Sequence, residues 1–196
     1  MSNMKKFLHI FRWYDYGLIV LIFILSVGVA ATMEMIFDES LYLQVPFLLA
    51  KESSYNLIYP IDSFNGFIGV TLGPTVLLPI ALVFKLLGVG VLKARIIPCF
   101  YFTGLFVLFW CQALRDQNRV IGFLFVLSIL SIPSIFLYGV TVHGEVPSLF
   151  FVVLGILLWK PNSNNFIGLT CFGLAAVTKT YFLLYVIPIF GVVLVE

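Results

Sequence analysis

The chain has 196 residues, of which 62% are hydrophobic and only 10% charged, with a net charge of +2. A typical soluble domain carries about 25% charged residues, so this composition excludes a soluble globular domain and points to a polytopic membrane protein. The near-neutral balance argues against a nucleic-acid partner. Cys99, Cys111 and Cys171 all sit inside apolar runs without CxxC spacing, which gives neither a disulfide framework nor a cysteine metal site and reads as apolar packing.

Along the chain, Lys5, Lys6 and Arg12 precede an uncharged run from Tyr16 to Met33. The small residues of "SVGVAA" resemble a signal-peptide cleavage site, but the apolar run exceeds a usual signal core. The reading is therefore an uncleaved first transmembrane helix with a cytoplasmic N-terminus. Two adjacent carboxylates, Asp38 and Glu39 in "MIFDESLYLQ", stand where the chain leaves this helix.

The next uncharged run, Ser63 to Phe84, contains Gly66, Gly69, Gly73, Pro74 and Pro79, residues that build a transmembrane helix poorly. Ile96 to Leu114 is a cleaner span and ends at "RDQNR". Val120 to Val142 reads as another span, with Pro133 inside it, and His143 to Glu145 interrupts it. Val146 to Trp159 is short, "KPNSNN" is a polar turn, and Phe166 to Val195 is apolar except for "TKT".

Orientation decides whether Ser63 to Phe84 crosses. If it does, "RDQNR" faces outward, against the positive-inside tendency. If it does not, Arg115, Arg119 and Lys160 share the cytoplasm with the N-terminus, and Asp38 to Arg95 becomes one large external loop. That loop carries Lys51, Lys85, Lys93 and Arg95, a cost to the rule, balanced by Asp38, Glu39, Glu52 and Asp62. The second topology is preferred. It makes "SLYLQVPFLLAKE" and "TVLLPIALVFKLLG" helices on the outer membrane surface, with Lys85 snorkelling. The expected fold class is thus an all-α polytopic transmembrane bundle with juxtamembrane surface helices in a large first external loop.

In this topology Asp38, Glu39, Arg95, Glu145 and Lys179 gather near the outer bilayer surface. Ionisable groups at membrane depth are costly and are usually functional or paired; the plainer alternative is charges that mark helix ends. His143 in "HGE" lacks the spacing of two metal ligands on a helix face and reads as a polar loop residue. Tyr42, one helical turn from Asp38, reads as an interfacial residue or a wall of the site. Trp13 and Trp159 read as interfacial anchors.

The ordered series "FDES-LYLQVPFLLA", "GPTVLLPIALVFKLLGVG-VLKARIIP", "GEVPSLFFVVLGILLW" and "AAVTKTYFLLYVIP" resembles the GT-C superfamily of membrane glycosyltransferases, nearest the protein O-mannosyltransferase and aminoarabinose-transferase branch. The resemblance covers residues from about 16 to 195. It departs from the branch at "GPTVLL", where "HPPL" or "KPPL" is common, and at Glu145, where Asp is common. It implies a single module over 1–196 corresponding to the N-terminal half of a larger enzyme, embedded as a multi-pass protein in the lipid bilayer, the plasma (inner) membrane in a bacterium.

The function implied is transfer of a sugar from a polyprenyl-phosphate-linked donor to a hydroxyl-bearing acceptor at the external face. By resemblance Asp38 is the general base and Glu39 orients the acceptor or pairs with Arg95, which holds the acidic pair. A cation should neutralise the leaving phosphate, with Lys179 first and Lys93 or Lys85 in reserve. Glu145 and Tyr42 complete the substrate-binding set. Glu145 with Asp38 leaves a divalent cation open as cofactor, although two carboxylates make a weak metal signal. The alternative is a non-catalytic small transporter or scaffold subunit; a transporter should show internal repeats, and none is evident.

Overall fold

A computed structural model describes residues 13–53, 72–115, 119–159 and 166–179. The basic N-terminal residues, most of the run before Gly73, the middle of "RDQNR", "KPNSNN" and the apolar run from 180 onward lie outside the described residues. Eight helices are described: α1 (Trp13–Thr32), α2 (Phe37–Glu52), α3 (Pro74–Leu87), α4 (Val91–Arg115), α5 (Arg119–Leu130), α6 (Pro133–Val140), α7 (Glu145–Leu158) and α8 (Phe166–Thr178). The described residues contain no strand, only one isolated antiparallel bridge between Leu72 and Lys179.

Among the described residues, two helices are long and apolar enough to cross a membrane, α1 with 20 residues and α4 from Val91 to Leu114. At 1.5 Å per residue, α1 reaches about 30 Å, the thickness of the hydrocarbon core. The two run antiparallel: the end of α1 meets the start of α4 at Arg95, and the start of α1 meets the far part of α4 at Trp110. α4 is the hub, packing on α1, α3, α5, α6 and α7. Its Phe102, Leu105, Phe106, Trp110 and Leu114 form one core with Ile22, Val126, Ile129 and Val146. The opposite surfaces stay apolar and exposed, as with Val20, Leu21, Ile24 and Leu25 on α1 and Ile121, Leu124 and Leu127 on α5. Such large uncovered apolar faces suit a lipid environment.

The expected span from Val120 to Val142 is broken in the middle. It is two helices, α5 and α6, bent by 80° at Ser131–Ile132. Pro133 explains the break: it lacks an N–H and drives Ile132 out of the helical region, where Ile132 is found at φ −88° and ψ 106°. Counted as one broken span, the pair brings the total to three.

α2 and α3 form as helices that pack on each other and on the start of α4. Val45, Val76, Leu77, Ile80, Phe84 and Ala94 are their common core. Gly73 caps α3 with Pro74 in its first turn, where the missing N–H costs nothing. At the other end Gly88 takes φ +80°, a left-handed value open to glycine, and ends the helix. α3 buries one apolar stripe while Leu78, Leu82, Leu86 and Leu87 on the other remain exposed. With 14 residues it reaches about 21 Å, short of a bilayer core.

Candidate functional site

The end of α1 is closed by one side chain from α4. Arg95 is 1% exposed, and every N–H of its guanidinium is used. Nε donates to Glu39 Oε1 at 2.8 Å and Nη2 to Glu39 Oε2 at 2.5 Å. Nη1 donates to the carbonyls of Ala30 and Met33, both at 2.7 Å, and Nη2 to that of Glu34 at 2.9 Å. A guanidinium has five such donors in a planar fork, and here two hold a carboxylate while three satisfy carbonyls in the last turn of α1 and just beyond it. Glu39, fully buried, also accepts the backbone N–H of Val142 at 3.0 Å. The pair therefore pins the exit of α1, the first turn of α2, the start of α4 and the α6–α7 connection.

This places the two adjacent acids in different roles. Glu39 has its oxygens committed to Arg95 and Val142. Asp38, one residue earlier, is exposed. The 100° step between neighbours on a helix separates the two positions.

Beside Asp38 lies a second constellation. Lys179 is buried just beyond α8, and its Nζ is 3.1 Å from Glu145 Oε1 in the first turn of α7. The same ammonium is 3.4 Å from the Tyr42 hydroxyl and 5.3 Å from the centre of its ring. Tyr42 thus faces the cluster. Its ring meets His143 edge-on at 6.0 Å, and the Tyr138 ring lies 4.9 Å from His143.

His143 belongs to the α6–α7 connection, as expected, but is buried and central to the cluster. Burial lowers its pKa from the ordinary 6.5; the charges of Glu145, Glu39 and Asp38 pull the other way, and Lys179 adds to the lowering. It lies between Val142, held by Glu39, and Glu145, held to Lys179, contacts that the linear sequence does not display.

Small residues and hydroxyls let these segments approach. A Cβ on Gly73 would lie 1.7 Å from the Val177 carbonyl oxygen, so only glycine fits against the end of α8. Its N–H donates to the Thr178 carbonyl at 2.9 Å. The Thr178 hydroxyl donates to Leu174, which leaves the Thr75 hydroxyl to donate to Thr178 Oγ1 at 2.6 Å. A Cβ on Gly144 would meet the Leu72 and Lys179 side chains at 2.8 Å. "GPT" and "VTK", distant in sequence, are thus one stitched unit that carries Lys179 to Glu145.

Asp38, Glu39, Arg95, Tyr42, Glu145 and Lys179 all lie at this end of the helices. The reserve cations do not join the cluster: Lys93 donates to the Leu87 carbonyl across the α3–α4 turn, and Lys85 is exposed on α3. Among the described residues, no group of three or more His, Cys, Asp or Glu is arranged to hold a metal ion. Glu145, the carboxylate expected to share a cation with Asp38, is paired with Lys179. No protein-family model, no curated protein and no solved structure matches the chain.

Proposed function

We propose that this chain is a membrane glycosyltransferase module of the GT-C type, moving a sugar from a polyprenyl-phosphate donor to a hydroxyl acceptor. The observation that carries the reading is the division of labour between the adjacent acids. Glu39 is locked by Arg95, while Asp38 is exposed near a Lys–Glu–Tyr–His cluster in which Lys179 and His143 are buried. The order of motifs along the chain supports the same reading by resemblance.

The chemistry runs as a displacement. The acceptor oxygen attacks the anomeric carbon, its proton passes to Asp38, and the bond from that carbon to the phosphate oxygen breaks. The electron pair leaves with the polyprenyl phosphate. Lys179 is the cation for that charge: a buried ammonium is worth far more to a developing anion than one in water. In this reading the donor phosphate takes the place on Lys179 that Glu145 holds in the structure. The exposed apolar faces of α1 and α3 support a site at the bilayer surface, where a lipid-linked phosphate would reside.

Extraction of lipid that co-purifies with the protein, followed by mass spectrometry, tests the reading. A polyprenyl phosphate, bare or bearing a sugar, is the expected finding, reduced in Lys179→Met. Bulk phospholipid alone, unchanged by that substitution, would overturn the reading.

A further inference from the structure

His143 is the one titratable side chain at the centre of the cluster that the displacement above leaves without a task. Its hydrogen bonding determines its form. Nδ1 is 2.9 Å from the Thr141 hydroxyl oxygen. That hydroxyl gives its own proton to the Leu137 carbonyl at 2.7 Å. Thr141 Oγ1 can then only accept from the ring, so the proton of the neutral imidazole sits on Nδ1 and Nε2 carries the lone pair. The Tyr42 and Tyr138 rings pack against the imidazole, and the backbone N–H of His143 is bonded to the Thr141 carbonyl at 2.8 Å, so both ring neighbours and backbone are fixed around it. The neighbouring Val142 is anchored to Glu39, and Glu145 two residues on is anchored to Lys179.

We infer that His143 is a positioning residue of this site: a neutral imidazole whose Nε2 accepts a hydrogen bond from a hydroxyl of the bound substrate and sets that hydroxyl beside Asp38. The substrate class, a hydroxyl-bearing sugar or acceptor, rests on the transferase reading; the form of the ring does not. The groups that face the imidazole are Asp38, Glu39 and Tyr42 from α2, Tyr138 from α6, Glu145 from α7 and Lys179 after α8. Burial outweighs the carboxylates among them and keeps the ring neutral at pH 7, which leaves the lone pair available.

The chain has only two histidines, His9 and His143, so nitrogen NMR of protein labelled at histidine, with His9→Gln as the assignment control, reads the ring directly. The expected spectrum at pH 7 shows His143 protonated at Nδ1 and bare at Nε2, persisting below pH 6.5. A proton on Nε2 instead would overturn the inference whatever the protein transfers. Two variants separate substrate contact from structure. His143→Asn keeps an amide where Nδ1 meets Thr141 but has nothing at Nε2; His143→Gln puts a polar group near Nε2. With polyprenyl-phosphate mannose as the probe, His143→Asn should lose about tenfold in affinity or in transfer to water, and His143→Gln should recover part of it. Asn equal to wild type would overturn the inference.

If the probe does not bind wild-type protein, the transferase reading with that donor fails. The inference is then judged by carbethoxylation with diethyl pyrocarbonate: reaction at Nε2 of residue 143 upholds an open lone pair, and an inert ring overturns it.

Discussion

The two ends of the α1–α4 pair each bury a carboxylate completely, Glu39 at one and Asp15 at the other. At the first end the partner is a guanidinium that also closes α1, and loops from α2, α6–α7 and α8 converge around it. At the second, the Trp110 indole donates to Asp15 Oδ1 at 3.1 Å amid an apolar cluster of Leu18, Phe106, Phe109 and Leu114. Burial of a carboxylate is common to both, so burial alone does not mark a reaction centre. The difference lies in what stands alongside: an exposed second acid, Lys179, Glu145 and His143 at one end, and the Trp110 indole with the apolar cluster of α4 at the other.

The largest effect should come from removing that exposed acid. Asp38→Asn should lower transfer by roughly 10²–10⁴-fold, the usual weight of a general base, while changing stability by no more than about 0.5 kcal/mol, as surface substitutions do. Transfer rate and thermal unfolding in detergent measure the two. Normal transfer by Asp38→Asn would erase the functional difference between the ends.

Arg95→Met should cost about 3–5 kcal/mol, because it strands the Glu39 charge in a buried place. The double variant with Glu39→Leu should be less destabilised than Arg95→Met alone, since no unpaired charge remains. Unfolding of the two variants side by side decides; equal losses would mean that the carbonyls of α1, not the ion pair, are what Arg95 chiefly serves.

Gly73→Ala should cost about 2 kcal/mol through overpacking against Val177 and should lower transfer as well, because it displaces the segment that carries Lys179. Trp110→Phe should cost about 1.5 kcal/mol for the lost hydrogen bond to a carboxylate and leave transfer per folded molecule unchanged. A Trp110→Phe variant that folds but does not transfer would show the far end to be coupled to the site.

The smallest effect is a pH dependence. His143 has a pKa lowered from 6.5, so below pH 6.5 the unfolded chain takes up a proton that the folded chain does not. Wild-type stability should fall relative to His143→Gln as pH drops from 7 towards 5, with no difference between their trends above pH 7. Parallel unfolding curves of both proteins across that range provide the measurement.

Much of the architecture was legible from composition and from the positions of charge. The apolar runs gave α1 and α4, and the glycines and prolines before Phe84 pointed to α3 as a short helix. Pro133 was visible inside its run, yet a period-based reading keeps such a run whole; the 80° bend follows from Ile132 leaving the helical region, a backbone event that hydropathy does not register. At the site, charged residues were found because charge is rare in this chain. His143 and Thr141 were not, because their roles depend on a hydrogen-bond direction and on ring neighbours from other helices. Asp15 stood outside the uncharged run by a single residue, and its burial needed Trp110, which nothing in the linear order couples to it.

The contacts that build the clamp join residues far apart in the chain: 56 positions separate Arg95 from Glu39, and 103 separate Glu39 from Val142. The Thr75–Thr178 bond spans 103 as well. A growing chain emerges from the ribosome at about 5–20 residues per second. On that scale Glu39 waits several seconds for its guanidinium and Lys179 arrives last of all. The clamp residues Glu39, Arg95 and Val142 are all made before α8, so the clamp can close while α8 is still unmade. The Lys179–Glu145 pair and the Thr75–Thr178 bond form only after α8 has been made, so the surroundings of Asp38 are completed last.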